Sequence, residues 1–554
     1  ALTVPDNQTD NLNLLNTTGG IELSGTLDAG TNTVVMNTTG TVSDAGSGAI
    51  VADSLGISNA ASVTLDSSAN NVATLAAEGI GGDFTFIDAA DGLNIGMVNP
   101  TGITSAGVVN LATLDDDLTV SENISGTSVR LTAGQNANAG AAAGGNIIAV
   151  GSPVISATTG NAVLYTGSLS GSTGVAESSA GANDGLIGFG SGNFRYNSDE
   201  TTDFSAGGWT DLGATGIFAV YREQPTITVT PGAQNITYGD ADPGNTSYTA
   251  GFSGLVNGDA SSIVGGTATW DTEAAGTTST GGKRVVGDYD VQYNSGLNNG
   301  VGYAFADDSG SADELTVNKL ALAGTAIAGV TTTYATAANA GAVSFTNVVS
   351  GDDIAATAAI DNPTTSSSNN LNAGNYTQSV GVDSQTGADA NNYTLAAFTT
   401  ASSNYVVEQL ALDGAIAASG NVYGSALVDG VVTYSNLVSG DVLADPTLAI
   451  DTTGNTGTSG NLNAGTYTGI QSVAGLSGTD AANYSIGSFS GGDYTVSKLD
   501  LDGAIAASSS TYGSALVDGV VTFDNLVSGD VLTAPTLAID TAGNTSTSGN
   551  LNAG

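Results

Sequence analysis

The densest run of metal-binding oxygen atoms in the chain is Asp115-Asp116-Asp117. Three consecutive carboxylates supply the oxygen ligands that Ca²⁺ takes in proteins. The run lacks both the alternating Asp positions of a helix–loop–helix calcium loop and the Gly-Gly-x-Gly-x-Asp nonapeptide of calcium-binding solenoids. Two interpretations remain, a calcium site and a solvated turn. Because the spacing of known calcium-binding loops is absent, the solvated turn is favoured. The sequence alone assigns no metal ligands in this chain.

A second set of carboxylates recurs in Gly-Asp pairs that follow short apolar runs. The pairs end at Asp259, Asp352, Asp441 and Asp530. Glycine accepts a positive φ and aspartate favours an Asx-type turn, so we expect each pair to reverse a strand. Calcium bound between neighbouring domains is the alternative use of these carboxylates.

Catalytic chemistry is not expected. The chain has no His, and its seven basic residues are scattered: Arg130, Arg195, Arg222, Lys283, Arg284, Lys319 and Lys498. A hydrolase or lyase site needs an acid–base pair beside an electrophilic group, which this composition hardly provides. The sequence therefore predicts a protein that is not an enzyme, with no catalytic and no cofactor-binding residues.

Two other sets of residues have a chemical and a structural interpretation. Trp209 and Trp270 are the two tryptophans and could stack on sugars, but a lone Trp more often packs in a core. The glycine-rich stretch at 139–145 is followed by no helix signal and no Lys, so it does not predict a phosphate-binding loop. The structural interpretation is favoured in both cases.

Charge and hydropathy limit the partners. With 52 acidic and 7 basic residues, the net charge of −45 makes nucleic acid and anionic lipid poor partners. No run approaches the 18 apolar residues of a membrane helix, so no membrane span is predicted. The absence of Cys excludes disulfides and thiolate metal sites, and is compatible with export. Residues 1–10 lack the pattern of a signal peptide, which is expected upstream or removed.

The elements that must position these residues are short strands. Gly and β-branched residues interrupt every candidate helix, so the predicted class is all-β. In residues 1–222 strands of four to seven residues alternate with Gly, Asn and Asp: 21–25, 34–37, 49–52, 62–66, 84–88, 93–98, 108–113, 118–122 and 128–134. A β-sandwich and a parallel β-solenoid both fit. The solenoid is favoured because aromatic residues are few.

After Pro225 the organisation changes to tandem repeats. Lys498–Gly554 repeats the 57 residues from Gln409 with 46 identities and no gap, at an offset of 89 residues. A period of this length indicates small domains in series. Because the last repeat stops partway, we expect the native polypeptide to continue.

The first part of the chain resembles the filamentous-haemagglutinin-like exoproteins of Gram-negative bacteria. The rhythm of GLNIGMVNPTGITSAGVVNLAT at 92–113 and of the stretch at 145–171 carries this resemblance. Those exoproteins have shafts that are right-handed parallel β-helices. The resemblance implies the same fold for residues 1–222.

The rest resembles repeat domains of bacterial adhesins. YGD…P…Y…GLVNGD at 234–259 resembles the MBG (mostly-β, glycine-rich) domain, and VSGD, NAGxY and DAxNY elements mark the related YDG repeat. We expect the tyrosine of each NAGxY and DAxNY element to anchor the following strand through its ring and hydroxyl. The predicted segments are an MBG-like domain at 225–318, followed by YDG-like, β-sandwich-like repeats at 319–408, 409–497 and, truncated, 498–554.

The resemblance implies a secreted, surface-associated adhesin or extracellular fibre protein. Its repeats would form a stiff stalk that mediates attachment, aggregation or biofilm matrix. Its expected partners are an outer-membrane translocator, surface glycans or matrix, or further copies of itself, and its expected location is the surface of a Gram-negative-type bacterium. One alternative is a self-assembling filament or surface-layer subunit. Another is a glycan-binding or carbohydrate-active β-helix.

Overall fold

The computed structural model describes residues 11–554 except 17–18, 90, 273–277 and 309–313, so the segment considered for a signal peptide, 1–10, lies outside it. The chain divides into two compact units. The first contains residues 1–278 and 284–318, and the second contains Ser279–Lys283 and Lys319–Gly554. The described residues are almost entirely β. Their helices are single 3₁₀ turns at Asn245–Ser247, Ser261–Ile263, Ala390–Asn392 and Ala481–Asn483.

The first unit begins with short strands separated by turns. They are β1 Leu12–Asn16, β2 Ile21–Leu23, β3 Thr26–Asp28, β4 Thr33–Thr38, β5 Thr41–Asp44, β6 Ala49–Ser58, β7 Ser62–Leu65, β8 Asn71–Ile80, β9 Phe84–Asp88, β10 Leu93–Ile95, β11 Ile103–Ser105, β12 Val109–Thr113, β13 Leu118–Val120, β14 Ile124–Gly126, β15 Val129–Thr132, β16 Ile147–Ala149, β17 Ile155–Ala157, β18 Asn161–Thr166, β19 Phe194–Arg195 and β20 Gly216–Tyr221.

These strands form two long parallel sheets, which is the arrangement of a parallel β-helix. An 11-stranded sheet follows the order β1-β4-β6-β8-β10-β13-β16 with β3, β11, β14 and β17 beside it. A 9-stranded sheet follows β2-β5-β7-β9-β12-β15-β18-β20-β19. Val34 pairs with Leu55 and Leu55 with Leu75, so one coil takes about 20 residues. The predicted solenoid is confirmed, while its right-handedness stays a prediction.

Stacked aliphatic and aromatic side chains form the core of the coils. In the second sheet, partners in register continue from one coil to the next: Leu65, Phe86, Leu111, Leu131, Leu164 and Ala219. All six are fully buried. Because side chains alternate between the faces of a strand, residues two apart share the core face. The interior of the solenoid is therefore filled by stacked side chains in register. A β-sandwich would need a bulkier core than this composition, with its few aromatic residues, supplies.

At the end of the solenoid, a long segment between β18 and β20 and two arginine side chains contact the last coils. Residues 167–215 lie in sequence between β18 and β20, which pair directly, and they contribute β19, which pairs with the other edge of β20. Arg222, fully buried, donates to the carbonyl oxygens of Ala133 at 2.6 Å and Gly145 at 2.7 Å. Arg195 donates to four carbonyl oxygens, among them those of Thr210 and Asp211. Both guanidinium groups thus satisfy backbone acceptors at the end of the solenoid.

The first unit continues with a small β-domain. Its strands are β21 Thr226–Pro231, β22 Gln234–Thr237, β23 Ala250–Ser253, β24 Val264–Thr272, β25 Gly287–Tyr289, β26 Val291–Asn299, β27 Ala304–Asp307 and β28 Leu315–Asn318. Strand β21 pairs antiparallel with β23 and parallel with β27. Strand β28 pairs parallel with β22 and antiparallel with β25, and β24 pairs with β26.

The second unit contains the repeats. Their strands are β29 Leu320–Ala321, β30 Ala326–Ile327, β31 Val330–Thr333, β32 Val343–Ser344, β33 Ala355–Ala356, β34 Ala359–Ile360, β35 Gly374–Tyr376, β36 Gln378–Val380, β37 Gln385–Thr386, β38 Tyr393–Thr394, β39 Phe398–Thr399, β40 Tyr405–Glu408, β41 Leu410–Ile416, β42 Ser419–Val422, β43 Val432–Tyr434, β44 Ala444–Ile450, β45 Gly465–Tyr467, β46 Gln471–Ser477, β47 Tyr484–Gly491, β48 Tyr494–Ser497, β49 Gly503–Ile505 and β50 Val521–Phe523.

The repeat at 409–497 has the same pairing scheme as the domain at 226–318. Strand β41 pairs antiparallel with β43 and parallel with β47. Strand β48 pairs parallel with β42 and antiparallel with β45, and β44 pairs with β46. In 319–408, β40 likewise pairs parallel with β31 and antiparallel with β35. Each domain is thus built from small mixed sheets, in agreement with the predicted β-domains. The boundaries between them stay predictions.

Candidate functional site

The turn aspartate of the repeat at 409–497 is held by two tyrosines. The hydroxyls of Tyr334 and Tyr484 both donate to Asp441 Oδ2, each at 2.6 Å. Tyr484 belongs to the same repeat as Asp441, whereas Tyr334 belongs to the preceding repeat. The two rings meet edge to face, with centroids 5.4 Å apart and an interplanar angle of 72°. One carboxylate therefore connects two consecutive repeats.

Local structure places each of the three groups. Gly440 has φ of 97° and lets the chain turn at Asp441, as the Gly-Asp pattern predicts. Tyr484 follows the 3₁₀ turn Ala481–Asn483 and starts β47, and its hydroxyl accepts a hydrogen bond from the Val438 N–H at 3.1 Å. Tyr334 follows β31. Both rings are buried in one apolar cluster, so the hydroxyls have little freedom to turn to water.

The other residues of the DAxNY element also contact the preceding repeat. Asp480 Oδ1 accepts from the Ser367 N–H at 3.1 Å, while its Oδ2 accepts from Val442 N–H at 2.7 Å. Asn483 Oδ1 accepts from the Ala373 N–H at 2.8 Å. Asp480 and Asn483 thus form hydrogen bonds across the junction, and the Tyr484 ring packs against Tyr334, beyond the anchoring of a strand that the sequence predicts.

The next junction repeats the contact. The Tyr423 hydroxyl donates to Asp530 Oδ1 at 2.8 Å, and the Ser459 N–H donates to the same oxygen at 3.2 Å. Tyr423 and Ser459 lie in the repeat at 409–497, and Asp530 lies in the segment 498–554. A cavity of about 460 Å³ beside Asp530 is lined by Lys498 among others.

The first unit contains a third copy of this arrangement. The hydroxyls of Tyr196 and Tyr303 each donate to Asp259 Oδ2 at 2.8 Å, and their ring centroids are 4.8 Å apart. Tyr196 lies beyond β19 at the end of the solenoid, whereas Tyr303 and Asp259 lie in the following β-domain. The contact is the same although the two partners have different folds.

The electrostatics of these aspartates differ. Partial burial by itself would raise the pKa of Asp441, but the hydroxyls of Ser368, Tyr334 and Tyr484 outweigh it and keep the pKa below its ordinary value. Hydrogen bonds from Ser459 and Tyr423 likewise lower the pKa of Asp530. Asp259 is more deeply buried, and desolvation raises its pKa in spite of the hydroxyls of Tyr196 and Tyr303. Burial also raises the pKa of Tyr484.

The run Asp115–Asp117 lies between coils of the solenoid. Asp115 accepts from the Asn136 side chain at 3.1 Å, and Asp117 accepts from the Asn146 N–H at 2.7 Å. Asp116 Oδ2 accepts from the Asp91 N–H at 3.0 Å. The three carboxylates therefore bind three different segments. Within the described ranges, no group of three or more Asp, Glu, His or Cys is arranged to hold a metal ion. A calcium site stays a prediction.

The tryptophans pack against neighbouring aromatic rings. Trp270 is buried and lies between Tyr248 and Tyr293, with centroid separations of 6.2 Å to each. Trp209 contacts the Phe204 ring edge to face at 5.4 Å. Tyr334 and Tyr423, which bind the aspartate of the following repeat, were by contrast not singled out from the sequence. Their signal is a tyrosine 107 positions ahead of the aspartate that it binds, Asp441 or Asp530.

The fold and these contacts define a class, an all-β protein built of a parallel solenoid and linked β-domains. Residues 227–312 match the model of the MBG domain (YGX type), which agrees with the MBG-like resemblance at 225–318. This kind of domain is associated with surface adhesin-like proteins. No curated protein and no solved structure matches the chain. In the part of the chain that the structure describes, no helix is long and apolar enough to cross a membrane.

Proposed function

We propose that the chain is a secreted adhesin or extracellular fibre protein on the surface of a Gram-negative-type bacterium. Its repeats serve as a stiff stalk for attachment, aggregation or biofilm matrix. The observation that carries this proposal is the MBG domain at 227–312, a domain type of surface adhesin-like proteins. The aspartate–tyrosine contacts between consecutive repeats support the stalk, because partly buried, charge-assisted hydrogen bonds restrain the angle between neighbours.

In this proposal the chain works without catalytic turnover. Arg195 and Arg222, two of the three arginines in the solenoid, are buried and donate to backbone carbonyls. These two guanidinium groups are therefore not available at the surface to assist a carboxylate in catalysis. The partners are an outer-membrane translocator during export, and surface glycans, matrix or further copies of the chain afterwards.

The test uses intact cells of the source bacterium and an antibody raised against the purified chain. Surface labelling that disappears when intact cells are treated with protease supports the proposal, and protein found inside cells contradicts it. Attachment and aggregation are then compared for the wild type, a strain lacking the gene, and a strain lacking residues 409–497. Loss of attachment in the second strain and partial loss in the third are expected.

Electron microscopy of the purified chain separates this proposal from a filament subunit. Single particles support a stalk, whereas ordered polymers at micromolar concentration support assembly into filaments or a surface layer. A glycan array and a polysaccharide depolymerisation assay test the carbohydrate-active alternative. Turnover that one carboxylate substitution abolishes would contradict the proposed non-catalytic role.

A further inference from the structure

The repeat at 319–408 carries a hydroxyl cradle on the side that faces the following repeat. We define this cradle as Tyr334, Ser366 and Ser368 in the repeat at 319–408. Ser366 Oγ lies 2.6 Å from the Tyr334 hydroxyl and 2.9 Å from Ser368 Oγ. The single hydroxyl proton of Tyr334 has two acceptors in reach, because Ser366 Oγ and Asp441 Oδ2 each lie 2.6 Å from the Tyr334 hydroxyl oxygen. The cradle thus places a cluster of hydroxyl groups beside one carboxylate.

The same three hydroxyl groups recur in the segment 498–554. In the segment 498–554, the Tyr512 hydroxyl lies 3.2 Å from Ser546 Oγ, and Ser546 Oγ lies 2.7 Å from Ser548 Oγ. A set of hydroxyl groups of this kind therefore recurs at the same place in the repeat pattern.

We infer that this cradle is a binding site for the turn aspartate of the next repeat, and that neutralising this carboxylate frees the junction to bend. The contact at Asp441 concentrates two charge-assisted hydrogen bonds on one oxygen, and neutral groups in its place lose about half of that strength. Asp530 has the same role at the following junction. This inference concerns the mechanics of the junction and stands whether or not the protein is an adhesin.

The groups around each aspartate determine the pH range in which its carboxylate stays charged and stabilises the junction. Asp441 is faced by Tyr334 and Tyr484, whose phenols stay protonated at neutral pH, and by the Asp480 carboxylate. Asp530 is faced by Tyr423, with Lys498 lining the adjacent cavity. Because the pKa of both aspartates is depressed in the folded junction, their contribution is complete above about pH 4 and is lost as the pH falls further.

The test measures a distance across one junction in the full chain. The chain has no Cys, so Ser402→Cys and Ser472→Cys, at exposed positions in consecutive repeats, accept two spin labels without competing sites. Double electron–electron resonance, a pulsed EPR experiment, then gives the distribution of distances between the two spin labels. The native chain at pH 7 is expected to show one narrow distribution. Asp441→Asn and Tyr334→Phe should each broaden it about twofold.

Two matched controls keep the result specific. Asp429→Asn removes an exposed charge from the same repeat, and Asp530→Asn removes the aspartate of the next junction, so both should leave the distribution at pH 7 narrow. If circular dichroism shows that Asp441→Asn unfolds its repeat, Tyr334→Phe, which removes one oxygen atom, decides the question. A distribution as narrow in Tyr334→Phe as in the native chain would overturn the inference.

Discussion

Arg222 and Gly145 are 77 positions apart in the chain, yet the Arg222 guanidinium donates to the Gly145 carbonyl oxygen at 2.7 Å. The same guanidinium donates to the Ala133 carbonyl oxygen, and its side chain is fully buried. Burial lowers the pKa of Arg222, but the ordinary value is so high that the side chain stays charged. A single cation thus ties three segments together where the solenoid ends.

Arg222→Met should destabilise the solenoid by about 3–5 kcal/mol. The substitution keeps much of the apolar stem but leaves two buried carbonyl oxygens unsatisfied, at about 1–3 kcal/mol each. Urea unfolding followed by hydrogen exchange across 103–221 measures the loss. Arg284→Met is the control, because its ion pair with Asp242 is partly exposed and contributes at most about 1 kcal/mol. Equal effects of the two substitutions would contradict this account.

A buried glutamine in each complete repeat gives a second prediction. Gln471 Oε1 accepts from the Gly430 N–H and the Ser419 hydroxyl, while its Nε2 donates to the Gly492 carbonyl oxygen. Gln471→Leu should lower the free energy of unfolding of its repeat by about 2–4 kcal/mol, because buried backbone groups lose their partners. Thermal melting of the full chain tests this against Gln409→Leu, at an exposed position. A melting curve unchanged by Gln471→Leu would show that backbone rearrangement replaces these bonds.

The sequence predicts the strands better than the junctions. The alternation in FTFID at 84–88 gives β9 correctly, because each apolar residue has a place on the core face. Strand β8, Asn71–Ile80, was not predicted, since its NVATLAAEGI has little alternation and contains Ala, Glu and Gly. Coil stacking rather than strand propensity stabilises it, through pairing with β6 and β10.

The junction contacts were harder to predict for a different reason. The Gly-Asp turn and the burial of Tyr484 follow from local patterns, and both are present. The partner of Asp441 is Tyr334, which lies 107 positions earlier in another repeat. Periodicity shows that both residues recur, but it does not say which surfaces of successive repeats meet. That information depends on how one repeat packs on the next.

The third prediction concerns acid and separates the two kinds of junction. Because the folded pKa of Asp441 is depressed, its contribution to stability is present above about pH 4 and falls as the pH drops. The folded pKa of Asp259 is raised, so protonation favours the folded state, and its contribution improves as the pH falls through that folded pKa. Acid should therefore weaken the contact at Asp441 and spare the contact at Asp259.

Melting temperatures of the full chain between pH 6 and pH 3 measure this difference. Asp441→Asn should flatten the acid loss seen in the native chain, because the substituted residue does not titrate. Asp259→Asn should leave that loss in place. If Asp259→Asn removed the acid loss and Asp441→Asn did not, the assignment of the two aspartates would be reversed.

The fourth prediction is that Tyr484→Ala weakens two repeats. A purely local strand anchor would affect 409–497 alone, but the Tyr484 ring contacts Tyr334 and its hydroxyl binds the aspartate that Tyr334 also binds. Truncating a buried aromatic side chain costs about 3–5 kcal/mol, which is a large part of the stability of a small domain. Hydrogen exchange on the full chain should show lost protection across 409–497 and also around 330–334 and 366–373.

Tyr467→Ala is the matched control, because the Tyr467 hydroxyl binds the carbonyl oxygen of Asn463 within its own turn. Protection kept around 330–334 in Tyr484→Ala would mean that consecutive repeats are energetically independent in spite of their shared aspartate.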